Sequence, residues 1–212
     1  MIVTKQKPFE EILRYTEGEK CIYIIGCGEC SAQCHTGGEE DIKDMKERLE
    51  GAGKEVVATT LIQAPCQELD TERILRKNKE LVTSSEGILV LACGAGVQAV
   101  SEAVDRPVHS GCNSMFLGNI RRRMHFYEKC SMCGECVLND YGGICPVTRC
   151  PKGLLNGPCG GIINGKCEVD SEKVCVWGLI YERMEEGIKA DGLMRIYPPK
   201  NHGVCVRPGK IE

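Results

Sequence analysis

The sequence predicts an α/β fold, with a parallel sheet in its amino-terminal half and a small cysteine-rich, metal-binding module after it. Three observations carry this expectation. From residue 1 to about 118, short apolar runs alternate with segments of helical periodicity, the pattern that builds a parallel sheet covered by helices. From Arg121 onward the alternation stops, and residues 130–175 hold eight cysteines among Gly, Pro and Asn, too little apolar matter for an ordinary core. Sixteen Cys in 212 residues also demand either an oxidising compartment or a metal.

The elements follow in order. Residues 8–15 place Phe9, Ile12 and Leu13 at helical spacing, and residues 21–25 are a continuous apolar run suited to a strand buried on both faces. A helix over about 39–50 carries Ile42, Met45 and Leu49 as one stripe and ends at Gly51 and Gly53. Then come a strand at 56–62, a polar helix from 71 to about 83, a strand at 88–92, a helix at 97–104 and a short strand near Val108. Together they make a flavodoxin-like domain over 1–118. The cysteine-rich module spans 119–188 and closes with an amphipathic helix from about 173 to 187, whose Val176, Leu179, Ile180 and Met184 are expected to pack on their own module. Residues 189–212 form an extended arm, since Pro198-Pro199 forbids regular helix.

In open parallel sheets, ligands sit beyond the carboxyl ends of the strands where the crossover direction reverses. Cys27, Cys66, Cys93 and Cys112 each fall just after a predicted strand, so separate loops can deliver sulfur to one crevice. Cys27, Cys30 and Cys34 form a C-x2-C-x3-C run, and a fourth ligand comes from Cys93 or its rival Cys66. A C-x2-C alone would suit a dithiol redox site, but the third cysteine argues for a cluster. Cys21, inside a strand, reads as plain core.

In the second half, Cys130, Cys133 and Cys136 form C-x2-C-x2-C, followed by Cys145-Pro146, which is the ligand pattern of a 4Fe–4S cluster. The fourth cysteine lies nine positions beyond Cys136, so no ferredoxin fold follows. A second set, Cys150, Cys159, Cys167 and Cys175, holds either another cluster or a zinc ion. Asn164-Gly165 reads as a two-residue hairpin turn that brings Cys159 and Cys167 together. Cys205 has no assignment. The chain therefore carries two or three 4Fe–4S clusters, with zinc as the alternative in one set.

Other classes fit poorly. A formal net charge of −3 with interspersed signs leaves no footprint for nucleic acid, and Arg121-Arg122-Arg123 reads as a solvated helix face. No apolar run approaches membrane-spanning length, and the first residues lack a secretory h-region, so the expectation is a cytoplasmic protein with reduced thiols. Gly94-Ala95-Gly96 opens a loose dinucleotide fingerprint, but no acidic residue follows about 20 positions on.

The segments Tyr141-Gly142-Gly143-Ile144-Cys145-Pro146, Lys152 through Gly161, Gly165 through Val169 and Cys175-Val176-Trp177 resemble the methylenetetrahydrofolate reductase C-terminal domain family, as in the small cysteine-rich subunit of anaerobic methylenetetrahydrofolate reductases. The likeness extends upstream to Gly26 through Cys30 and Cys93 through Gln98. The resemblance implies an electron-transfer subunit that serves a separate, flavin-containing catalytic subunit. That partner would carry FMN and make methyltetrahydrofolate, with ferredoxin or another protein as electron donor. The alternative function is a zinc-stapled scaffold that assembles such a complex without redox work.

Overall fold

A computed structural model describes residues 1–122, 124–188, 190–205 and 207–210. The chain divides into two compact units, residues 1–116 with 122–125, and residues 117–121 with 126–212. In chain order the elements of the first unit are β1 (Ile2–Gln6), α1 (Phe9–Tyr15), β2 (Cys21–Cys27), α2 (Cys30–Gln33), α3 (Glu39–Gly51), β3 (Glu55–Ile62), α4 (Glu68–Lys77), α5 (Lys79–Ser84), β4 (Gly87–Leu91), α6 (Gly94–Glu102) and β5 (Val108–Ser110).

Four strands form a sheet in the order β3-β2-β4-β5, with every neighbouring pair parallel. Residues Ile22 to Cys27 of β2 and all of β4 are buried, which is why both read as continuous apolar runs. Alternation divides them between two layers. Ile22, Ile24, Leu89 and Leu91 pack with Ile12 of α1 and with Ile42, Met45 and Leu49 of α3. Tyr23, Ile25, Ile88 and Val90 pack with Leu75 of α4 and Val100 of α6. Each fully buried Ile or Leu contributes roughly 1.5–3 kcal/mol, so the sheet has its own source of stability.

The structure corrects several local expectations. The helix expected over 71–83 starts at Glu68 and breaks at Asn78, whose backbone (φ −101°, ψ 26°) leaves the helical region while its side-chain amide donates to the Ile74 carbonyl at 2.9 Å. Helix α6 starts at Gly94, because Cys93 is extended and serves as its N-cap. Cys21 opens β2 half-buried with its thiol toward the Glu55 carboxylate at 3.9 Å, so it is not core. A second sheet, of order β1-β6-β7, uses β6 (Cys112–Arg122) and β7 (His125–Cys130). Its outer residues are mostly exposed and lack the apolar alternation that would have announced them. Arg121 and Arg122 consequently end a strand rather than line a helix, and Arg123 lies outside the described residues.

The second unit has a smaller core of Val137, Tyr141, Ile144, Val176, Trp177, Ile180 and Ala190. Tyr141 meets Trp177 edge to face at 5.5 Å between ring centres. Its helices are α7 (Pro146–Arg149) and α8 (Val176–Glu185). The latter begins later than expected because Lys166 bridges Val174 and Cys175 is extended as N-cap. It packs within its own unit, as its apolar stripe requires. Residues 196–200 carry neither helix nor strand, but single 3-10 turns at Asp191–Met194 and His202–Cys205 interrupt the arm expected to be extended over 189–212.

Candidate functional site

In the first unit the sheet order makes the chain leave β2 for β3 on one side and return to β4 on the other, so the crossover reverses between β2 and β4. The crevice expected of such sheets lies beyond the carboxyl ends of these two strands. Cys27 ends β2, Cys30 opens α2, Cys66 follows β3 and Cys93 caps α6 after β4. Burial pushes the Cys66 thiol up, and the Cys93, Cys27 and Cys30 sulfurs push it in the same direction, so these four thiols form one electrostatic neighbourhood.

A glycine shapes this end of the sheet. Gly37 lies against the Leu91 carbonyl with no room for a Cβ, and its own carbonyl accepts the Cys27 N–H at 2.8 Å, which folds the 28–37 loop back over the strand ends. That fold carries Cys34 into a different setting from its motif partners. Its buried sulfur accepts the Thr4 N–H of β1 at 3.5 Å and faces the Ile2 carbonyl at 3.9 Å. Beside it, Cys112 donates to the Thr36 carbonyl at 3.4 Å, and burial holds its thiol up at about 12, so it stays protonated at any ordinary pH.

In the second unit the Cys130–Cys136 run turns through two left-handed residues, Met132 (φ 54°) and Gly134 (φ 76°). The Met132 N–H donates to Cys130 Sγ at 3.3 Å. Cys145 is tied to this loop by Thr148, whose hydroxyl accepts the Ser131 N–H at 2.9 Å and meets Cys145 Sγ at 3.6 Å. The arm reaches the same loop. Lys200 Nζ lies 3.6 Å from Cys133 Sγ and donates to the Glu135 carbonyl, while Cys205 donates to the Met132 carbonyl at 2.9 Å. Burial raises the Cys133 thiol, but donation from its neighbouring backbone and the Lys200 ammonium outweigh this and hold it below the usual thiol range. Neither Lys200 nor Cys205 was legible beforehand, because about 70 residues of chain separate them from the loop they meet.

The four cysteines with no compact signature, Cys150, Cys159, Cys167 and Cys175, line one cavity together with Trp177. The turn at Asn164-Gly165 is a two-residue hairpin with positive φ at both positions (48° and 75°), and Ile163 and Lys166 exchange hydrogen bonds of 3.1 and 2.9 Å across it. The Cys159 sulfur accepts the Gly161 N–H at 3.4 Å, and this bond, helped by Lys152, lowers its thiol against the opposing effect of burial. Among the described residues, no three His, Cys, Asp or Glu side chains stand close enough to hold an ion as they are, so the thiols are gathered into neighbourhoods rather than closed around a point.

The donor chemistry of all three neighbourhoods is thiol, which suits iron–sulfur groups and zinc and disfavours hard cations. The last two lie in a stretch with a known relative: a family model described as methylene-tetrahydrofolate reductase C terminal matches residues 109–203. Over these residues, less than half of the chain, the sequence is similar to that domain. The matched stretch holds Cys112 through Cys175 and stops two residues short of Cys205, while Cys27, Cys30, Cys34, Cys66 and Cys93 precede it. No curated protein and no solved structure matches the chain. Among the described residues, no helix is long and apolar enough to cross a membrane.

Proposed function

We propose that this chain is the iron–sulfur electron-transfer subunit of a methylenetetrahydrofolate reductase complex, working in the cytoplasm beside a flavin-containing catalytic subunit that makes methyltetrahydrofolate. The observation that carries the reading is the gathering of thiols from separate elements at the reversal point of the sheet, in a chain that also bears the reductase domain. Cys27, Cys30, Cys66 and Cys93 would hold one 4Fe–4S group, with Cys34 left to its contacts on β1. Cys130, Cys133, Cys136 and Cys145 would hold a second. Cys150, Cys159, Cys167 and Cys175 would hold a third group or a zinc ion.

A 4Fe–4S group supplies one-electron exchange at a potential set by charge, hydrogen bonds to sulfur and exposure. The chain's own residues provide these settings. Backbone N–H groups of Met132 and Gly161 donate to Cys130 and Cys159, which favours anionic sulfur. Cys93 and Cys175 stand at the N-caps of α6 and α8, where unsatisfied amides favour a negatively charged neighbour. Lys200 brings a cation to Cys133.

The first test is iron, zinc and acid-labile sulfide content with a visible spectrum on protein purified without oxygen. Iron and sulfide in equal amounts with broad brown absorption is the expected result. Zinc without sulfide would sink the reading and leave a zinc-stapled scaffold in its place. The role is then tested by reducing the partner's flavin with ferredoxin in the presence and absence of this chain, and equal rates would refute it.

A further inference from the structure

Trp177 occupies the second position of α8, two residues after Cys175, and is 1% exposed. Its ring is fixed edge-on by Tyr141 and forms part of the second unit's core. Its indole N–H, however, is buried with no hydrogen-bond partner among the described residues. A buried donor left unmade forfeits its hydration with no return, and folded proteins rarely tolerate this without reason. A side chain needed only to fill the core could be Phe or Leu, which bury no donor. The wall that Trp177 shares with Cys150, Cys159, Cys167 and Cys175 offers the missing acceptor: sulfur, once these thiols are deprotonated around a metal.

We propose that the indole N–H of Trp177 donates to a sulfur of the metal group held by Cys150, Cys159, Cys167 and Cys175, making Trp177 a positioning residue for that centre. This rests on the reading of these cysteines as metal thiolates. Hydrogen bonds from residues behind the ligands orient them and hold them anionic, and losing one typically costs 10–100-fold in metal affinity. Trp177 then serves two ends at once: its faces and edges complete the apolar core, and its one polar atom completes the ligand shell. The Gly161 N–H already does the same for Cys159.

The chain has one tryptophan, so indole-15N labelling of the full-length protein gives a single signal. In the metal-loaded wild-type protein, purified without oxygen, the indole proton is expected downfield of its position in metal-stripped protein and slower to exchange with solvent. W177F, which keeps the ring and removes the donor, is expected to lose metal to a competing chelator about tenfold faster. An unchanged indole signal on metal removal, or W177F retaining metal as the wild type does, would overturn the proposal while leaving the thiolate reading intact. A Cys159→Ser, Cys167→Ser variant that keeps the full metal content would overturn both, since the cavity would then hold none. If W177F does not fold, the wild-type indole signal decides alone.

Discussion

The two units solve the same problem with different means. The first buries apolar layers on both faces of a parallel sheet, with Cys112 and Cys27 inside those layers and Cys30, Cys66 and Cys93 outside them. The second has one modest core around Tyr141 and Trp177, while residues 150–175 run through short turns and isolated bridges, with four thiols lining a shared cavity. Cysteine therefore means different things in the two halves. On the proposed reading, it is in one a ligand carried by a separately packed sheet, and in the other the bound group is part of the scaffold.

The largest expected effect breaks that comparison if it fails. Stripping metal with a chelator should expose the amides of residues 130–175 to hydrogen exchange while β2 and β4 keep their protection. Simultaneous loss in both units would show that the first also depends on its metal. Next in size is Leu89→Ala, which removes a fully buried side chain between β4 and α3. It should cost about 2–5 kcal/mol in urea denaturation of the first unit, without lowering metal content at Cys150–Cys175. A smaller and sharper test concerns the first unit's ligands: Cys66→Ser should remove about four irons per chain, the content of one cluster, whereas Cys34→Ser should keep them. The opposite pattern would restore Cys34 to the ligand set.

The smallest effect belongs to Lys200. Reduction adds a negative charge to a thiolate-bound group, and a nearby cation stabilises that state, so Lys200→Gln should lower the reduction potential of the Cys130–Cys136 centre and Lys200→Arg should largely preserve it. A redox titration followed by electron paramagnetic resonance would measure the shift. No shift in Lys200→Gln would mean that the arm's contact with Cys133 carries no electrostatic weight.

Much of this was legible in the chain itself. The runs at Cys21–Cys27 and Gly87–Leu91 announce strands buried on both faces, and Asn164-Gly165 announces its turn because both positions adopt positive φ. Strands β6 and β7 stayed hidden because they bury little and so carry no alternation. The setting of Cys34 was hidden for a related reason. The C-x2-C-x3-C run suggests three ligands on one loop, but its third sulfur meets β1, a strand the apolar pattern did not reveal.

The local chemistry was set by sequence alone. It settled which segments pair into a parallel sheet and where the thiols fall along the chain, because these depend on residue type and spacing. Which thiols share a neighbourhood was decided only by tertiary structure. The influence of Cys93 on Cys66, the meeting of Lys200 and Cys205 with the Cys130 loop, and the shared cavity of Cys150, Cys159, Cys167, Cys175 and Trp177 join residues from separate parts of the chain. Spacing along the backbone constrains only near neighbours, whereas coordination and hydrogen bonding act over a few ångströms of space.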